Sequence, residues 1–227
     1  MGRSDLGAEA GVPATTSGLR NWHLFLIVSL ATLAVTIGTN RIVMTEEVYG
    51  RMIPAVDGSL AQVSQVLAEA RRWERLAYVL TPVLLLARVG FSALLVQLAL
   101  LVLGAPKPLA SVFRGALWAQ AASWLGSAAQ LLWMSSLPAS ALTLATLEVP
   151  PGTIASLLPL PADGASPLGI LLRQITLFDL AWITLFATAI EDGSAVRART
   201  AFAAVGASWF AVTAVRWGAL VYLTGFA

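Results

Sequence analysis

The sequence predicts an all-α integral membrane protein, with five transmembrane helices and one amphipathic extramembrane helix after the first span. Charged residues make up 11% of the chain, against about 25% in soluble domains, and the mean hydropathy is +0.79. The second observation is a series of apolar runs. Each is close to the roughly 20 residues that a helix rising 1.5 Å per residue needs to cross hydrocarbon. Composition also excludes classes. The chain has no Cys, so it holds no disulfide, thiol nucleophile or thiolate metal site. The single histidine, His23, rules out a multi-histidine metal site within the chain. A net charge of +2 is too small to argue for nucleic acid. Lys107 is the lone lysine among many arginines, and with abundant Ala, Leu and Gly this suggests a GC-rich bacterial genome.

Residues 1–20 read as a polar cytoplasmic tail rich in Gly, Ser and Thr. The first transmembrane anchor spans 21–43. Its leader is long and almost uncharged and no small-x-small site ends it, so a retained anchor is expected rather than a cleaved signal. Trp22 and His23 sit where interfacial side chains belong. Residues 44–75 form a polar segment carrying the amphipathic helix. Ser59 and Gln62 read as a capping box, and Leu60, Val63, Leu67 and Ala70 follow at three- and four-residue steps, one helical stripe. That stripe suits either the membrane surface or a partner.

A four-helix membrane core is expected over 76–227. Its first span, 76–103, has Pro82 and Gly90 as kink points and Arg88 inside. In the next, 112–137, Gly115, Ala119, Ser123 and Ser127 recur every four residues, with Gly126 beside them. Small residues at that spacing let two helices approach closely in lipid. Gln120 and Gln130 can hydrogen-bond across helices. Residues 138–170 hold six prolines and no Lys or Arg, and read as an extracytoplasmic loop with re-entrant or interfacial pieces.

The runs 171–190 and 201–227 form a helical hairpin around a short turn with Arg197 and Arg199. Asp179 then lies roughly 12 Å deep. Arg88 lies about 18 Å below the same surface and Arg216 about 8 Å below it, so an ion pair of Asp179 with one of the two arginines is expected. Basic residues at Lys107, Arg114, Arg197 and Arg199 place the amino terminus inside and the carboxyl terminus outside. Segment 44–75 runs against that rule, since it puts Arg51, Arg71, Arg72 and Arg75 outside.

No Walker, dinucleotide-binding, His-Glu-x-x-His or Gly-x-Ser-x-Gly motif is present, so an enzyme is not expected. Leu177-Phe-Asp-Leu-Ala-Trp182, Phe113-Arg114, Arg199-Thr-Ala201 and Trp209 resemble the pattern of the YIP family, the Ypt- or Rab-interacting membrane proteins, in its bacterial form. The match covers roughly 76–227, and it departs at Ile190-Glu-Asp, where the family has a Gly. The resemblance implies a non-catalytic five-span protein without cofactors. It further implies an accessory or scaffold subunit of a bacterial inner-membrane complex, in some relatives one with an ABC-type exporter. Its partners would be the bilayer and other membrane subunits, with a homo-oligomer left open. The rival expectation is a small-solute or ion transporter or channel using Asp179, Arg88 and Arg216. Whether those charges face a water-filled cavity or each other discriminates the two.

Overall fold

A computed structural model of the chain describes residues 15–52, 60–143, 147, 149–157, 166–191 and 196–224. The described elements are helices α1 (Thr15–Val43), α2 (Glu46–Met52), α3 (Leu60–Val102) and α4 (Leu109–Ser136), a 3₁₀ turn (Ala139–Ala141), then α5 (Ile154–Leu157), α6 (Pro167–Gln174), α7 (Leu177–Glu191) and α8 (Ala198–Thr224). No strand occurs among the described residues, and an isolated bridge joins Thr153 to Thr176. The chain is all-α.

Three helical stretches are long and apolar enough to cross a membrane: Asn21–Val43, Ser64–Val102 and Ala198–Leu223. The sequence predicts five. The two that fall short do so for different reasons. α4 has 28 residues, ample length, but Gln120, Gln130 and its Ser and Gly residues dilute its hydropathy. α7 is strongly apolar but has only 15 residues, about 22 Å of helix. The expected run 171–190 is not one helix. α6 ends at Gln174, Ile175 turns extended at φ −94° and ψ 122°, and α7 starts after Thr176.

The boundary expected between an extramembrane helix and a second span at 75/76 is also absent. α3 is a single helix of 43 residues that runs through Pro82, about 65 Å long. Arg71, Arg72, Trp73, Glu74 and Arg75 form no break because none of them opposes helix strongly. The capping residue Ser59 lies outside the described residues, as do residues 1–14 of the tail.

α4 is the organising helix, and it packs against α1, α3 and α7, while α8 packs on α3 and α7. The main core joins Val89, Val96 and Leu100 of α3, Val112, Ala116 and Leu117 of α4, Phe186 and Ile190 of α7, and Ala201, Ala204 and Val205 of α8. A smaller cluster of Val48, Met134 and Leu142 sits where α2 meets the end of α4. At the opposite end, Arg114 Nε donates to Asn21 Oδ1 at 2.7 Å. There Lys107 Nζ donates to the Ile190 carbonyl, a cation at the negative end of α7. α1 and α4 therefore run parallel, and α3 runs antiparallel to both.

Candidate functional site

The residues that matter lie on two sides of α4. Toward α7 it presents Gly115, Ala119, Ala122 and Gly126 at steps of four, three and four. Into this groove α7 lays Phe178, Trp182 and Phe186, spaced four apart. A Cβ on Gly126 would lie 2.8 Å from the Phe178 ring, and one on Gly115 would lie 3.2 Å from Phe186. Trp182 meets Phe186 edge-on, with centroids 5.2 Å apart at 82°, a favourable arrangement of ring quadrupoles. Large residues on one helix thus enter a groove of small ones on the other, and close packing follows from the absent side chains. Of the five small residues read as one packing face, Gly115, Ala119 and Gly126 lie on this side. Ser123 and Ser127 turn away from it.

Those two serines belong to a second stripe, Gln120, Ser123, Ser127 and Gln130, centred roughly 100° further round the helix. It lines a cleft of about 230 Å³ between α1, α3 and α4. α1 contributes Thr32, Thr36, Thr39 and Asn40, and α3 contributes Leu85 and Arg88. From Gln120 to Gln130 is about 15 Å of helix, half of a 30 Å hydrocarbon core. The cleft is thus a polar track from one end of the bundle to its middle. At the mouth, Asn40 Nδ2 donates to the Tyr78 hydroxyl at 3.3 Å, and Tyr78 donates to the Glu74 carboxylate.

At the inner end, Arg88 Nη2 donates to Ser123 Oγ at 3.4 Å. Thr32 and Thr36 donate to the carbonyls of Val28 and Thr32 at 2.8 and 2.9 Å, and Ser127 donates to that of Ser123 at 3.0 Å. All three hydroxyl residues line the cleft. Gln120 is only 3% exposed, and among the described residues neither its Nε2 nor the buried Trp124 Nε1 has a partner. Leaving a buried amide unbonded costs about 1–3 kcal/mol. The signal for this track was in the sequence: Thr32, Thr36 and Asn40 at four-residue steps inside an apolar helix form one polar face.

The expected ion pair is not formed. Asp179 Oδ2 accepts from the Thr176 backbone N–H and from Thr176 Oγ1, both at 2.7 Å, and Thr176 Oγ1 accepts from Asp179 N at 3.1 Å. This is a reciprocal capping box, with Thr176 at the N-cap and Asp179 three residues on. The carboxylate therefore sits in the first turn of α7, at the positive end of the helix, and not in the middle of a long span. Arg88 keeps Asp179 and Arg216 within electrostatic reach but makes its hydrogen bond to Ser123. Arg216 is exposed on α8.

In the predicted surface stripe, Leu67 is buried within the chain and Ala70 is half-buried. The side chains of Leu60 and Val63 lie outside what is described. Among the described residues no cluster of His, Asp and Glu could hold a metal ion. Comparison of the chain with family models, with curated proteins and with solved structures gives no match.

Proposed function

We propose that this chain is a multi-pass bacterial membrane protein that receives a small polar solute between α1, α3 and α4, as a binding or transport protein and not as an enzyme. One observation carries the reading: the intramembrane cation Arg88 lines a polar cleft. Ionisable groups at mid-depth are expensive and mark solute pathways, and solute sites in transporters lie near the midplane. The same reading takes α4 and α7 as crossing with the other three, giving five spans with the amino terminus inside and the carboxyl terminus outside. Enclosure supports this. α4 packs against α1, α3 and α7, so its polar residues meet protein and cleft, and lipid-based hydropathy understates it.

The natural absence of cysteine supplies the test. Single cysteines replace Thr36 and Ser127 in the cleft, and Phe210, which is 68% exposed, on the lipid side. A thiol reacts as thiolate, which needs water. A charged, membrane-impermeant thiol reagent is expected to modify the two cleft positions from one side of the membrane and to spare position 210. If the cleft cysteines are as inert as the one at 210, the cleft is sealed and the reading fails.

The second reading is an accessory or scaffold subunit, as the YIP resemblance implies, including association with an ABC-type exporter. It is favoured by the outward apolar surface of the spans in α3 and α8, of which only 28% and 11% is buried within the chain. Lipid accounts for that surface equally well. The residues that suggested a partner, Gly115, Ala119, Gly126 and Leu67, are buried or packed internally. Purification in mild detergent with identification of co-purifying chains separates the two: a stoichiometric membrane partner favours the subunit.

A further inference from the structure

We propose that the inner end of the α1–α3–α4 cleft is an anion site, built to hold a phosphate or carboxylate group on Arg88, Gln120 and Trp124. This rests on the solute-binding reading above and adds the class of solute. The first support is the donor set. Arg88 offers a fixed fork of N–H groups that is charged at every physiological pH. The buried Gln120 Nε2 and the Trp124 indole N–H have no partner among the described residues, and an indole N–H can only donate. No carboxylate lines the cleft at this end.

The second support is the local charge. Among the described residues, Asp179 and Arg216 are the charged groups within electrostatic reach of Arg88. Asp179 has its carboxylate oxygen committed to Thr176. Among the described residues two cations and one anion act on one another here, an imbalance that an incoming anion would offset in a medium where isolated charge is costly. The third support is size. The cleft, about 230 Å³, is smaller than the roughly 300–1,000 Å³ of sites for drug-sized ligands. It suits a group of a few heavy atoms with its water. Arg binds phosphate and carboxylate through two parallel hydrogen bonds, and Gln120 and Trp124 lie one helical turn apart on the facing wall.

Such a group has two sources: a free anion entering along the polar track, or the headgroup of an anionic lipid entering from the open side, where Arg88 and Ser127 are exposed. The experiment uses the full chain in nanodiscs. One arm has phosphatidylcholine alone and titrates inorganic phosphate against chloride at constant ionic strength. The other replaces a fifth of the lipid with phosphatidylglycerol and omits phosphate. Binding is read calorimetrically and as a shift in Tm, for the wild type, Arg88→Gln and Gln120→Leu.

A saturable response to phosphate that weakens at least about tenfold in Arg88→Gln, and less in Gln120→Leu, establishes a free-anion site. Silence to phosphate with stabilisation by phosphatidylglycerol that Arg88→Gln abolishes establishes a headgroup site. Equal responses in wild type and Arg88→Gln, or no response in either arm, overturns the proposal. Folding is controlled by the Tm of each variant in phosphatidylcholine alone. Should Arg88→Gln fail this control, Arg88→Lys replaces it, since a point charge without the fork is expected to bind more weakly. Cysteines at 36 and 127 that react with water-borne reagent while no anion binds would sink the anion class and leave the solute-binding reading standing; inert cysteines would sink that reading.

Discussion

α4 carries a dry side and a wet side only one residue apart in sequence. Gly115, Ala119, Ala122 and Gly126 meet α7 through the rings of Phe178, Trp182 and Phe186, and the polar atom these rings bring, Trp182 Nε1, is buried there. Gln120, Ser123, Ser127 and Gln130 meet α1 and α3 across a cleft. Glycine on the first side removes every atom that would hold the helices apart. Glutamine on the second side brings a donor, Gln120 Nε2, with no partner among the described residues. In a membrane the two choices have opposite consequences. Association between helices there draws on packing more than on the hydrophobic effect, so the dry side holds the bundle together. An unbonded amide away from water is destabilising, so the wet side makes sense where water or a ligand completes it.

The sharpest way to break this comparison is one substitution at neighbouring positions. Gly126→Val places a branched side chain where even a Cβ would lie 2.8 Å from Phe178, and is expected to cost about 2–3 kcal/mol. Ser127→Val, one residue on, points into open space and is expected to change stability by no more than about 0.5 kcal/mol. Reversible unfolding of both variants in the same detergent measures the difference. Equal losses would mean that the cleft is as tightly packed as the α4–α7 contact.

A smaller effect is expected at the start of α7. Thr176→Ala should cost about 1 kcal/mol, as loss of an N-cap does. Asp179→Ala should cost a similar or smaller amount, and the double variant less than the sum, because each residue bonds the other. Combining Asp179→Ala with Arg88→Gln should instead be additive. A coupling of more than about 0.5 kcal/mol between Asp179 and Arg88 would restore the ion pair and shrink the positive imbalance beside the cleft.

That site also marks where the sequence is legible and where it is not. Hydropathy and run length reveal the helical membrane class, because lipid exposure is a local property that α1, α3 and α8 satisfy residue by residue. They miss the break at Ile175–Thr176, because apolar residues continue on both sides of it. The break is written instead in Thr176-x-x-Asp179, a short capping pattern lying within a run that reads as one span. The small-residue spacing of α4 is visible, but a step of four cannot separate Gly126, which packs, from Ser127, which lines the cleft; only the partner helix decides. The cleft itself is visible only when Thr32, Thr36 and Asn40 are set beside Gln120, Ser123, Ser127 and Gln130, since two polar faces make a track only if the helices bring them together.

The smallest expected effect concerns α8, which has the least of its span buried within the chain. Gly206 is interior to this helix, and a Cβ there would meet nothing within 4 Å. Glycine inside a helix costs about 0.5–1 kcal/mol relative to alanine through the freedom of the unfolded chain. With no clash to set against it, Gly206→Ala should stabilise the protein by about 0.5 kcal/mol. Gly126→Ala, the same chemical change on the dry side of α4, should instead destabilise it, because the Phe178 ring would have to move. Opposite signs for the two substitutions in one unfolding assay would tie the dry contact to α4 and α7. If Gly206→Ala also destabilises, then α8 meets a close neighbour at position 206, which among the described residues it does not have. That result would favour a second subunit on its outer face and strengthen the accessory reading at the expense of lipid.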